Sequence, residues 1–178
     1  MYIISSKWGI AIIGIIAILL LLFLLGRKSV QTSVFVAAKP QKVWSVLTST
    51  STAKDWNTVL VPVDGSLIPG TQIDYEFYEV PGEKPSKIKA SVNQVILDSL
   101  INQSGGIPGI LTFDHYYILH NADTGTVVEI KEAYQGIMVP FWSPHGVEKA
   151  YARLLEALKQ HVQEETGQSK PNPFQFKQ

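Results

Sequence analysis

The chain contains no cysteine among its 178 residues. Disulfides, thiolate nucleophiles and thiolate metal sites are therefore excluded, although a protein on either side of a membrane can lack cysteine, so the compartment stays open. Histidine is scarce as well, with four in all. His115 and His120 lie five apart in a strand-like stretch and so point to opposite faces. His145 and His161 fall at the two ends of a helical stretch, and no metal site or cofactor follows from any of them. Basic stripes are missing: Lys7, Arg27 and Lys28 aside, residues 30–178 carry 12 basic and 15 acidic side chains, a net charge of −3, which excludes a nucleic-acid surface. Gly105-Gly106 and Pro108-Gly109 are no phosphate loop, since no Gly-Lys-Ser/Thr follows. Asn102-Gln103-Ser104 is formally a glycosylation sequon, relevant only if the domain faced a glycosylating lumen.

Between Gly9 and Leu25 there is neither charge nor proline. From Trp8 this makes a helix of roughly 27 Å, close to the hydrocarbon thickness of a bilayer. A cleaved signal peptide would carry a shorter apolar run and a small-residue cleavage site, whereas this run ends at Leu25-Gly26-Arg27-Lys28, so the segment is expected to stay as a single-pass anchor. Arg27, Lys28, Lys39 and Lys42 against Lys7 place the folded domain on the cytoplasmic side. The length implies one domain, burying roughly 70% of its unfolded surface. The expected organisation is an anchor with flanks over 1–28, a domain over 29–165 and a disordered polar tail over 166–178.

Within the domain, Val34, Phe35 and Val36 read as a strand. A helix starts at Pro40, where the missing N–H costs nothing, and puts Val43, Trp44 and Leu47 on one face. Thr52 to Trp56 reads as a second short helix with Thr52 and Asp55 at capping-box spacing. Thr58 to Gly70 is a turn-rich connection, and Thr71 to Val80 a strand with Ile73, Tyr75 and Phe77 inward. Ser86 to Val95 turns Ile88, Ala90 and Val92 inward, with Ile96 to Asn102 continuing past a bulge or bend and Ser104 to Gly109 a loop. Leu111–His120 and Thr126–Gly136 form a hairpin. A four-residue loop, with Gly125 at positive φ, pairs Asn121 with Thr126, so that Phe113 faces Tyr134, His115 faces Glu132, Tyr117 faces Ile130 and Leu119 faces Val128. Ile137 to Pro144 is an aromatic connection. A helix over His145–Glu165 then carries Val147, Tyr151, Leu154, Leu155, Leu158 and Val162 in one stripe.

Strand, short helices, antiparallel strands and long amphipathic helix make an α+β layer arrangement. The strand-to-Pro40-to-Trp44 opening, Trp56-Asn57, Pro69-Gly70 and the final helix resemble the START-like (SRPBCC) superfamily, in its polyketide cyclase/dehydrase and lipid-transport branch. That resemblance implies a helix-grip fold: a curved antiparallel sheet wrapped around the C-terminal helix, with a cavity between them for an apolar or amphipathic molecule.

The inward set offers a wall for such a ligand through Trp56, Tyr75, Phe77, Ile88, Phe113, Tyr117, Ile130, Tyr151, Leu155 and Leu158. His115 opposite Glu132, with Tyr134 beside them, is the one constellation with acid–base potential. Three functions are compatible with these residues. The first is a membrane-anchored, non-catalytic domain binding a lipid, quinone or polyketide-like molecule; the others are a cyclase or dehydratase using His115, Glu132 and Tyr134, and a protein-interaction or stress-response module without a ligand. With so short a tether, Val43, Trp44 and Trp56 are expected near the rim of an opening close to the headgroups, Trp44 mostly buried. Oligomeric state is left open.

Overall fold

The computed structural model describes residues 7–167; of the tail expected over 166–178, Thr166 and Gly167 are described, closing α3 through bonds to Val162 O and Glu164 O, and the rest lies outside the described residues. Its elements are α1 (Lys7–Leu25), β1 (Arg27–Val36), α2 (Pro40–Leu47), β2 (Leu60–Gly65), β3 (Gln72–Phe77), β4 (Ser86–Ile96), β5 (Leu100–Ile107), β6 (Leu111–Ala122), β7 (Gly125–Gln135) and α3 (His145–Glu165), with 3-10 turns at Ala53–Asp55 and Val139–Phe141. The seven strands form one antiparallel sheet in the order β1-β7-β6-β5-β4-β3-β2. β2 to β7 is a meander, and β1 closes on its last strand.

The concave face of the sheet holds α3. Val147, Ala150, Tyr151, Leu154, Leu155, Leu158 and Val162 are all buried along one side of that helix, the i, i+3, i+4 stripe expected of an amphipathic element. They meet Ile73, Val92, Ile101, Val128 and Ile130 from the strands. Leu154, Leu158, Val128, Ile130 and Val162 are wholly inaccessible, and burial of each such side chain contributes roughly 1.5–3 kcal/mol. The outer face of β4–β6 carries a polar ladder instead. Asn93 Nδ2 donates to Asn102 Oδ1 (3.0 Å), Asn102 Nδ2 donates to Asp114 Oδ1 (2.6 Å), and Tyr116 Oη donates to Asp114 Oδ2 (2.8 Å). The sequon amide is thus already engaged in a buried position.

Five local expectations are corrected. β1 starts at Arg27 rather than Val34, because its polar half pairs along β7 from Arg27↔Gln135 onward; only Gly26 separates it from α1. The connection from Thr58 contains β2, an edge strand where Pro62 is tolerated because one side of its ladder needs no donor. Asn57 starts that strand: Val59 N and Leu60 N donate to its Oδ1 and its Nδ2 donates to Leu60 O. The run from Ser86 to Asn102 is two strands. The chain reverses at Leu97–Ser99 with Asp98 at φ 58°, although a register shift does fall between Val92 and Gln94. β5 continues through Gly105 and Gly106, where a loop was expected. A Cβ on Gly105 would sit 2.6 Å from the ring of Phe113, so the ladder needs glycine there for the aromatic to lie across it. Finally, Thr52 makes no cap; its hydroxyl donates to Ser49 Oγ, and a single 3-10 turn follows.

The hairpin register agrees at every expected pair, His115↔Glu132 included, though the turn is shorter. Ala122 pairs with Gly125, and Gly125 is not at positive φ; its missing side chain makes room for the Phe35 ring.

Candidate ligand-binding site

The two ends of the sheet differ. At the end where β1 begins, Arg27 pairs with Gln135, Ile107 with Leu111 and Phe77 with Ser86. α3 also starts here, with Arg153 Nη2 donating to Glu79 O (2.7 Å) and Tyr78 O (3.2 Å). At this end the helix and sheet part, leaving a cavity of about 370 Å³ lined by Phe77, Glu79, Ser86, Lys87, Ile88, Lys89, Gly106, Leu111, Phe113, Glu132, Tyr134, Trp142, Val147 and Tyr151. Deeper in, Tyr75, Gln103, His115, Ile88, Phe113, Glu132 and Tyr151 border a void of about 20 Å³. A third, of about 30 Å³, lies among Trp56, Asn57, Gln103, Tyr75 and Tyr117. The opposite end bears a broad open cleft of about 970 Å³ along Ala37–Lys42 and Asn121–Gly125, outside the sheet's grip.

At the inner end of the cavity, β7 presents Glu132 and β6 presents His115 as direct neighbours. His115 Nδ1 is 2.5 Å from Glu132 Oε2, and Tyr151 Oη donates to the same oxygen. Burial would push this carboxyl up, but the hydrogen bonds and charge of His115, then the hydroxyls of Tyr151 and Tyr134, outweigh it and hold Glu132 below the usual carboxylate range. An ionised Glu132 only accepts, so Nδ1 carries the proton. His115 Nε2 is buried with no hydrogen-bond partner among the described residues. The ring is clamped edge-on by Tyr117 (4.7 Å) and Tyr151 (5.2 Å). Nearby, Gln103 Nε2 donates to Tyr75 Oη at 2.8 Å. Burial raises the phenols of Tyr117 and Tyr151 well above their usual value, with the Glu132 charge adding to both. Tyr134, raised by the same causes, meets Trp142 edge-on at 4.7 Å. The result is a chamber walled by aromatic and aliphatic side chains, with Glu79, Lys87 and Lys89 also in its lining and the Glu132 carboxylate, held by His115 and Tyr151, at its inner end. It can orient a molecule through a hydrogen bond while burying its apolar body.

Of the ligand-wall residues expected, Phe77, Ile88, Phe113 and Tyr151 line the cavity, as do Glu132 and Tyr134. Tyr75 and His115 border the inner void, and Trp56 and Tyr117 the third. Ile130, Leu155 and Leu158 border none of these spaces and are filled core. Val43, Trp44 and Trp56 do not form a rim. All three are buried, and Trp56 stacks on His161 towards the far half of α3 (6.3 Å); α2 follows the end of β1, opposite the cavity mouth. Glu79, Leu111, Trp142, Val147 and Gln103 escaped the sequence reading. Gln103 faces inward because it pairs with the inward-facing His115 on β6.

No family model matches the sequence, and no curated protein matches it either. Solved structures do match. The KanY protein, determined by NMR, is 18% identical with a TM-score of 0.58 over 78% of this chain and 99% of that one. A Thalictrum flavum norcoclaurine synthase point mutant, in complex with a transition-state analogue, is 20% identical with a TM-score of 0.55 over 79% and 96%. Ara h 8.0201 is 15% identical with a TM-score of 0.59 over 78% and 99%. The chain has the helix-grip fold. At these identities the likeness concerns the fold alone. Among the described residues, the space between sheet and α3 holds a cavity at the α3 N-terminal end and two small voids further in.

Proposed function

We propose that the chain is a membrane-anchored helix-grip domain that binds a small amphipathic molecule, of the lipid, quinone or polyketide-like class, in the cavity beside Tyr134 and Trp142. The observation that carries this reading is the 370 Å³ chamber, with Phe77, Ile88, Leu111, Phe113, Trp142 and Val147 as apolar wall, Glu79, Lys87 and Lys89 also in its lining, and the Glu132–Tyr151 pair at its inner end. Its volume falls at the small end of the range for ligand sites, which favours one ring system or a short chain over a whole two-chain lipid. α1 is long and apolar enough to cross a bilayer, and Arg27 and Lys28 at its end favour a cytoplasmic domain. Native mass spectrometry of the full chain released from detergent tests the reading. A copurifying or titratable apolar ligand supports it, and a chain that takes up none overturns it.

The unpartnered Nε2 of His115 favours a second reading, a cyclase or dehydratase in which His115, Glu132 and Tyr134 act on the bound molecule. His115→Gln should then abolish turnover while preserving ligand binding; unchanged turnover dismisses it.

A further inference from the structure

The junction between α1 and the sheet has no slack. Gly136 N donates to Gly26 O at 3.0 Å. A Cβ on Gly26 would lie 2.0 Å from Gly136 O, and one on Gly136 would lie 2.2 Å from Ile110 O. Three backbone segments therefore touch where α1 ends: the first residues of β1, the turn between β5 and β6, and the segment after β7. The last two are tied together, Ile137 N donating to Gly109 O (3.1 Å) and Met138 N to Ile110 O (3.1 Å). Lys28 Nζ holds the segment after β7 through Trp142 O and Pro140 O.

These same segments expose large apolar side chains: Ile107 (61%), Ile110 (44%), Met138 (49%) and Phe141 (71%). Exposed apolar groups also occur at the far end, at Leu97 and Ile68, so exposure alone does not single out this patch; its contact with the end of α1 does. The chain neighbours of these side chains line the cavity: Gly106 precedes Ile107, Leu111 follows Ile110 and Trp142 follows Phe141.

We infer that this rim is seated in the interfacial layer of the bilayer that α1 crosses, so that the cavity mouth opens onto lipid rather than water and the ligand is exchanged with the membrane. This rests on the anchored reading above. An apolar patch whose backbone meets the chain at a span's exit point gains from burial at the headgroup–acyl boundary, and the exposed Arg27 beside it suits anionic headgroups.

The absence of cysteine makes the test clean. Single substitutions Ile110→Cys, Met138→Cys and Phe141→Cys, with Leu97→Cys at the far end and Ile16→Cys within α1, are labelled with an environment-sensitive fluorophore in the full chain, reconstituted into vesicles containing anionic lipid. Spin-labelled lipid and aqueous iodide serve as quenchers. The expected result is blue-shifted emission and lipid quenching at 110, 138 and 141, with position 97 quenched only by iodide. Lipid quenching at 16 with iodide quenching at 110, 138 and 141 overturns the seated rim while leaving the anchor intact. Loss of lipid quenching at 16 overturns the anchor itself. Protection of 110, 138 and 141 from both quenchers shows a second protein surface on the rim, and also overturns the inference.

Discussion

Glu132 Oε2 lies 2.5 Å from His115 Nδ1 on directly paired positions of neighbouring strands, with both side chains almost wholly buried. Replacing the carboxylate by an amide leaves the buried His115 and Tyr151 donors without their charged acceptor, at a cost of about 1–3 kcal/mol. Glu132→Gln should therefore lower the urea midpoint of the detergent-solubilised chain substantially at neutral pH. The sign with pH follows from the depressed carboxyl. Its stabilisation is present above the unfolded value of about 4.3 and is lost as pH falls through the folded value. The gap between parent and variant should narrow as the pH falls below about 4; a gap independent of pH would contradict a native ionised Glu132.

The core tyrosines predict the alkaline limb. Tyr75 is pushed up to about 12 by burial, against the opposing hydrogen bond from Gln103, and Tyr117 and Tyr151 are also raised. For a raised phenol the stabilisation of the neutral form is complete below the unfolded value of about 10 and is lost as pH rises through and beyond it. Tyrosinate absorbance should rise in two stages, exposed phenols first and these together with loss of near-ultraviolet circular dichroism. A single smooth titration near the free value would refute the packing described.

The long elements were legible because their patterns are strong and local. The α3 stripe runs over His145–Glu165 as expected, and the hairpin register carries His115 to Glu132 despite the shorter turn. Glycine and proline misled where tertiary context overrides propensity. Gly105 and Gly106 look like loop residues, yet β5 uses them where the Phe113 ring crosses and where φ is positive. Pro62 suggests a break, yet it sits on an edge. Where the cavity lies was not legible at all. It depends on α3 parting from the sheet at one end, and on Trp142 and Val147 lining the same space as Phe77 and Leu111, a juxtaposition that no single period records. The same holds for the rim, expected from α2 and formed by the opposite loops.

Lys28 is the clasp on that rim segment, donating to the carbonyls of Trp142 and Pro140. Lys28→Met keeps the apolar stem and removes the donor. Loss of charged hydrogen bonds of about 1.5 kcal/mol should speed amide exchange over residues 137–142 about tenfold, without changing exchange in α3. Hydrogen-exchange mass spectrometry reads this directly, and unaltered protection of 137–142 would show that backbone hydrogen bonds hold the segment without Lys28.

Ile88 separates a cavity from a core. It is half-buried on β4, and its side chain borders both the 370 Å³ chamber and the inner void. In a filled core, enlarging it would cost about 1–3 kcal/mol through overpacking; beside an open chamber, the extra volume has somewhere to go. Ile88→Trp should therefore change the unfolding free energy by less than about 1 kcal/mol while weakening uptake of an apolar ligand at least about tenfold. Leu158→Ala is the converse, since Leu158 is wholly buried and borders none of the spaces described. It should cost about 2–5 kcal/mol of stability and leave affinity in the still-folded protein unchanged. Titration of both variants with the same ligand decides the matter: an Ile88→Trp protein that binds as well as the parent would move the ligand out of this chamber.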